Sequence, residues 1–377
     1  MARAELIRAT AVALLLLPGG AAFAAPPAPA QALAELVNRA GKPLGSLDAW
    51  MTENHVPGVS IALIHDFEIA WTYTVGVANA DTGTNVDAET LFQAASISKP
   101  VSAAAAHLLA AQGQLDLEAP INDYLKSWQL PAHEFADAPP VSARLLLSHR
   151  AGTNASGFDG YEADAPLPTL LQILDGAPPA HGPAVRVENM PGAKFQYSGG
   201  GTTIMQLALG DITGEAPDDV VKRLVLEPLG MTRSYFSQPL AEALRANAAS
   251  AHFGRGRVMK GGAHVYPELF AAGLWTTPTD LARFAIAIQN ALRGAASPIP
   301  QAVATAMTAQ EGDGPTSPGF FVDGDWFYHG GSNHGFRAQL KAHKTRGYGM
   351  VVMTNAERGD ALREFLFYTL AAACGWE

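Results

Sequence analysis

The run Phe92-Gln93-Ala94-Ala95-Ser96-Ile97-Ser98-Lys99-Pro100 sets a hydroxyl and an amine three residues apart, at the start of an alanine-rich segment over residues 101–112. Three residues along a helix return to the same face, so Lys99 is placed over Ser96. A serine hydroxyl is a poor nucleophile at neutral pH and needs a neighbour that takes its proton. A lysine held in a dry site can give up its charge and do so. Ser-x-x-Lys is the pattern of such a nucleophile and base. It is a short pattern, and a serine at a helix start also serves as an ordinary N-cap. Taken alone, the run leaves both roles open.

A second run, Pro191-Gly192-Ala193-Lys194-Phe195-Gln196-Tyr197-Ser198-Gly199-Gly200-Gly201, ends an extended stretch in Tyr197 and opens a glycine run ahead of a helical segment. Glycines let backbone approach a ligand, and a phenol there can pass a proton; an aromatic anchor beside a flexible turn reads the same way. The third run is His329-Gly330-Gly331-Ser332-Asn333-His334-Gly335-Phe336, expected to join two strands. Consecutive glycines leave backbone bare for an extended ligand, and a backbone N–H there can hold an oxyanion. A glycine-rich hairpin loop is the simpler alternative. His329 and His334 have no partners at a standard metal-ligand spacing, so no metal site is expected.

The elements that must position these runs follow from periodicity. Residues 59–64 and 68–75 read as a hairpin turning at His65-Asp66 and ending at Gly76; residues 326–329, 335–343 and 348–354 read as three more strands. Helices are expected at 31–39, 47–53, 141–148, 203–213 and 218–226. A last one carries Leu362, Phe365, Leu366, Thr369 and Leu370 on one stripe. Strands at both ends with helices between predict an α+β fold: an α/β/α sandwich whose antiparallel sheet comes from the N- and C-terminal segments, with a mainly helical inserted lobe. The expected α/β lobe covers 33–112 and 265–377, and the helical lobe 113–264. A ligand cleft lies between them, with 152–168 and 311–324 as its walls.

The chain has 377 residues, 48% apolar and 16% charged, the composition of a globular protein. Its net charge of −10 speaks against nucleic acid as a partner. Residues 1–24 read as a signal peptide: Arg3 and Arg8 lead, an apolar run follows, and Ala22-Phe23-Ala24 offers a cleavage site. The apolar run is too short to span a bilayer, so no membrane insertion is expected after cleavage. Residues 25–32 read as a linker and 33–377 as the folded domain, in a periplasmic or secreted protein. Cys374 is the only cysteine, so no internal disulfide can form; it reads as a small buried hydrophobe.

Ser96-Ile97-Ser98-Lys99, Tyr197-Ser198-Gly199 and His329-Gly330-Gly331, in that order, resemble the three motifs of the serine β-lactamase and penicillin-binding protein superfamily. The resemblance is to the class C β-lactamase-like branch, which includes esterases, D-alanyl-D-alanine carboxypeptidases and D-aminopeptidases. The stretches 145–152, 228–232, 272–278 and 353–355 support it. It implies an acyl-enzyme on Ser96, Lys99 as base and Tyr197 as proton relay. The oxyanion hole would come from the backbone N–H groups of Ser96 and Ser332, and substrate contacts from Gly199, His329, Gly330 and Gly331. No cofactor is implied, and the substrate is a small ester, amide or peptide. Two positions depart from the pattern. Gly199 replaces an asparagine that contacts a substrate amide, and Gly330 replaces a threonine whose hydroxyl serves a substrate carboxylate. His329, in place of lysine, carries full charge only below about pH 6.5 if unperturbed. These changes point away from penicillin-like substrates and toward small esters or peptide amides. They also leave open a weakly active or inactive protein that binds peptidoglycan or D-amino-acid ligands.

Overall fold

The computed structural model describes residues 25–376; the expected signal peptide lies outside the described residues. One antiparallel sheet contains β1 (Gly58–His65), β2 (Glu68–Asn79), β3 (Thr84–Asn85), β4 (Phe321–Asp323), β5 (Trp326–Asn333), β6 (Phe336–His343) and β7 (Gly349–Thr354), in the order β3-β2-β1-β7-β6-β5-β4. The two termini meet at its centre, where β1 pairs with β7 from Val59–Thr354 to Ile64–Gly349. Both strands are buried along their whole length, because helices cover both faces. A strand buried on both sides has no polar alternation, hence its unbroken apolar sequence.

The helices that matter here are α1 (Leu47–Asn54), α2 (Ser98–Ala111), α3 (Ala143–Leu147), α4 (Gly199–Thr213), α5 (Leu269–Ala272), α6 (Pro278–Leu292), α7 (Gln301–Thr308) and α8 (Asp360–Cys374). On one face of the sheet, Leu47, Trp50 and Met51 of α1 and Leu362, Leu366 and Leu370 of α8 pack on Val59, Ile61, Leu63, Met350 and Val352. On the other, Leu281, Phe284 and Ile288 of α6 share a core with Ala62, Ile64, Val351 and Met353. Each buried side chain of this size contributes about 1.5–3 kcal/mol. α2 and α4 are buried nearly all round, as an alanine-rich helix and a glycine-led helix must be to lie close to their neighbours. This is the expected α+β sandwich. Among the described residues no helix is long and apolar enough to cross a membrane.

Three local expectations are corrected. The helix over 31–39 shrinks to one turn, Pro29–Ala32, because the Asn38 carboxamide accepts from Ala40 and Lys42 N–H and closes a turn through Gly41 at φ +72°. Just before this turn Trp71 Nε1 donates to the Pro27 carbonyl at 3.1 Å, and Ala32 at its end is buried. His329-Gly330-Gly331 lies inside β5, paired with Leu340, Gln339 and Ala338, and only His334-Gly335 turns the chain into β6. Cys374 is only half-buried at the end of α8, and burial pushes its thiol up to about 11.

Candidate active site

The short strand Phe92–Gln93, paired with Trp275–Thr276, delivers the chain into a 3₁₀ turn, Ala95–Ile97, that runs on into α2. Ala94 N–H donates to the Leu274 carbonyl at 2.8 Å, and Leu274 N–H donates to Ser98 Oγ at 3.0 Å, so both sides of the turn are pinned to residues 272–276. Ala95 has φ +50°, a conformation that costs a non-glycine residue and persists only where its surroundings impose it. Ser98, not Ser96, makes the local backbone bond, donating to the Ala95 carbonyl at 2.6 Å. Ser96 caps nothing; Lys99 Nζ lies 3.2 Å from its Oγ. Lys99 is 6% exposed and donates to the Ala271 carbonyl of α5 at 2.7 Å. Among the described residues no carboxylate pairs with it. A serine and an amine in contact, the amine buried and held by a carbonyl, form a unit that can move the serine proton.

Strand β5 runs beside this turn. A Cβ on Gly331 would lie 2.1 Å from the Ala94 carbonyl oxygen, so this approach requires glycine. The next residue, Ser332, is exposed, and Asn333 turns inward again. Asn333 Nδ2 donates to Gln93 Oε1 at 2.8 Å and to the Ala272 carbonyl at 3.2 Å, tying the strand end to the flank of the nucleophile turn. Gly330 is different. A Cβ there would point at Arg363 Nη1, 3.2 Å away, on the α8 side of the sheet. The side chain that this glycine lacks would therefore not serve a substrate carboxylate in the cleft, which corrects the sequence reading of that departure.

Tyr197 reaches the site from the segment ahead of α4, where Ser198 Oγ accepts the Gly201 N–H at 2.9 Å and caps the helix. Lys99 Nζ sits 5.0 Å from the centre of the Tyr197 ring. The ring lies tilted against His149, at 4.4 Å between centroids, and stacks on Phe321, at 6.0 Å, with His329 at 6.2 Å. Ser96, Lys99, Tyr197 and His329 are thus gathered. Gly199, which starts α4, faces the 152–168 segment: a Cβ there would meet Phe158 at 2.9 Å, so this aromatic ring stands where a side chain of residue 199 would go. His334 sits apart on the β5–β6 turn, 3.6 Å from Glu357.

His329 is buried, and its Nδ1 is 2.7 Å from the Gly330 carbonyl. Burial first, and the Lys99 charge second, push its pKa down to about 3, so it is neutral across the physiological range. The expectation of a charge below about pH 6.5 is overturned by this burial. His149 is held neutral in the same way: burial, then Lys99, then His329 drive its pKa well below the usual imidazole range. A buried carboxyl lies nearby in the chain. Glu268, immediately ahead of α5, is raised to about 7 by burial, and Tyr161 lies beside it.

Sequence reasoning passed over His149, Asn333, Gln93, Phe158 and the Ala271 carbonyl. His149 lies in one of the stretches that carried the family resemblance, but nothing in its spacing from Ser96 announces a contact with Tyr197. The others act across more than forty residues of chain.

The beta-lactamase family profile matches residues 33–374. Penicillin-binding protein 4 of Amycolatopsis lactamdurans is 28% identical over 207 residues, 55% of this chain and 51% of that protein. Esterase EstB of Burkholderia gladioli is 27% identical over 200 residues, covering 49% and 48%. Unguisins hydrolase ungD' of Aspergillus campestris is 29% identical over 203 residues, covering 52% and 36%. The chain therefore spans about half or less of the length of these curated relatives. Among solved structures, the octameric penicillin-binding protein homologue from Pyrococcus abyssi superposes with a TM-score of 0.73 at 23% identity, over 87% of this chain and 76% of that one. A profile that covers the sheet, the nucleophile turn and the helical insertion together leaves one conclusion: the chain belongs to the beta-lactamase family, among whose members related to it are hydrolases.

Proposed function

We propose that this protein is an exported serine hydrolase that forms an acyl-enzyme on Ser96 and hydrolyses a small ester or amide. The observation that carries the reading is the contact between Ser96 Oγ and Lys99 Nζ at 3.2 Å, with the amine buried and without a carboxylate partner among the described residues. Ser96 Oγ adds to the substrate carbonyl carbon while its proton passes to Lys99 Nζ. The backbone N–H groups of Ser96 and Ser332 hold the oxyanion, a role favoured by the approach of Gly331 to Ala94. Collapse of the tetrahedral adduct expels the alcohol or amine, which takes a proton relayed through Tyr197. Water then adds to the ester, its proton returns through the same groups, and the acid leaves with Ser96 restored. The names of the related esterase and hydrolase favour ester or amide cleavage, and the loss of a side chain at Gly199 favours small substrates over acylamido ones. Export rests on residues 1–24 and is read from the N-terminal mass of the protein expressed in a Gram-negative host.

The test is turnover of p-nitrophenyl acetate, with intact mass after a fluorophosphonate. Wild type should turn over and gain one adduct. Ser96→Ala should lose both, with turnover falling about 10³-fold or more. Equal turnover in the two proteins, or no turnover and no adduct in either, would favour the alternative of a ligand-binding protein.

A further inference from the structure

Lys99, His149 and His329 line one cavity of about 10 Å³ together with Leu147, Thr316 and Phe320. That is room for a single water, provided two to four polar groups face it. The hydrogen bonds around the two imidazoles fix their tautomers. His329 Nδ1 faces the Gly330 carbonyl at 2.7 Å; a carbonyl only accepts, so this nitrogen carries the proton and Nε2 is a bare acceptor. His329 Nε2 is buried without a protein partner. His149 Nδ1 faces the Ser198 N–H at 3.1 Å; an N–H only donates, so here Nδ1 is bare and Nε2 carries the proton. One wall of the cavity thus belongs to an imidazole with a donor Nε2, another to an imidazole with an acceptor Nε2. Lys99, as an ammonium, has three protons, of which Ala271 and Ser96 engage two.

We propose that this cavity holds one water which accepts from His149 Nε2–H and Lys99 Nζ–H and donates to His329 Nε2, making the two histidines positioning residues for Lys99. The inference rests on the acyl-enzyme reading. When Ser96 gives up its proton, the new ammonium finds three acceptors already in place: the Ala271 carbonyl, the serine oxygen and this water. Neither histidine has to ionise, so the only positive charge in the pocket is the one on Lys99. The titratable groups facing the cavity are Lys99 from α2, His149 from the loop after α3 and His329 from β5, with Tyr197 tilted against His149. The depressed basicity of both imidazoles agrees with this arrangement.

Two measurements test it. Nitrogen NMR of labelled protein should find His149 protonated on Nε2 and His329 on Nδ1, both unchanged from pH 5 to pH 8. Matching tautomers, or titration of either ring in that window, would overturn the proposal whatever the enzyme's activity. The second is the acylation burst. His149→Asn keeps an acceptor for Ser198 N–H and suits the φ of +58° at this position, but removes the Nε2–H. His329→Asn keeps the bond to Gly330 and removes the acceptor, whereas His329→Gln places a carbonyl oxygen near the Nε2 position. The two Asn variants should each lower the acylation rate about tenfold with KM unchanged, and the double variant should be no slower than either, since all three break one chain. His329→Gln should recover to within about threefold of wild type. Wild-type rates in both Asn variants would sink the idea, and melting curves show whether each variant is folded. Loss of activity in every protein, wild type included, would instead remove the acyl-enzyme reading, leaving the NMR result to stand on its own.

Discussion

The floor of the cleft and its wall are built on different terms. On the floor, Ser96, Lys99, Gly331 and Asn333 are fixed by backbone: Ala271 and Ala272 carbonyls, the Ala94 carbonyl, and a turn pinned to Leu274. A side chain at Gly331 cannot be added without moving main chain. On the wall, Phe158 sits half-exposed beside Gly199, on a loop held to the body by the Tyr161–Val265 bridge. The departures from the family pattern follow that division. Both Gly199 and Gly330 lie off the proton-transfer unit, one against an aromatic ring of the wall and the other against Arg363 behind the sheet.

Adjacent glycines offer the sharpest way to break this comparison. Gly331→Ala would set a methyl 2.1 Å from the Ala94 carbonyl, so strand and nucleophile turn must separate. Ester turnover should fall about 10²-fold, the scale of losing one oxyanion donor. Gly330→Ala meets no backbone closer than 3.9 Å; its nearest neighbour is Arg363 Nη1 at 3.2 Å, which needs to give by only a few tenths of an ångström while keeping its bonds to the Gly331 and Ala338 carbonyls, and turnover should stay within about threefold of wild type. Similar losses in both would mean that the floor is not set by that approach. A smaller effect is expected on the wall. Gly199→Asn must displace Phe158, and the carboxamide offers a substrate amide a partner. The ratio of kcat/KM for an acylamido substrate over p-nitrophenyl acetate should rise about tenfold, measured in parallel assays; an unchanged ratio would show that Phe158 does not govern this side of the cleft.

The smallest effect concerns stability against pH, where His329 and Glu268 should have opposite signs. His329 binds its proton only near pH 3 in the folded protein but near 6.5 when unfolded, so its contribution is full above about 6.5 and drains away as pH falls toward 3. Glu268 is raised from 4.5 to about 7, so its contribution is full below about 4.5 and is lost as pH rises through 7. Glu268→Gln should therefore gain on wild type between pH 5 and pH 8, by on the order of 2 kcal/mol in urea unfolding. A constant difference across that range would mean that the carboxyl is not held protonated.

Much of the fold was legible because it depends on local pattern. β1 and β7 announce themselves by unbroken apolar runs, and α8 by one stripe that becomes its buried face. The proximity of Ser96 to Lys99 is also local, a matter of one helical turn, so their contact follows from spacing. The helix expected at 31–39 failed because a single Asn38 side chain competes with the helical backbone, which periodicity does not register.

The sequence by itself determined the contact of Ser96 with Lys99, the strands and the stripe of α8, since each arises between residues within a few positions of one another. Only the tertiary structure decided that His149 lies against Tyr197, that His329 is neutral, that Gly331 faces the nucleophile turn and Gly330 faces away, and that Phe158 fills the space beside Gly199. Those outcomes depend on burial and on contacts between distant segments, and a residue's desolvation and neighbours exist only once the chain has packed.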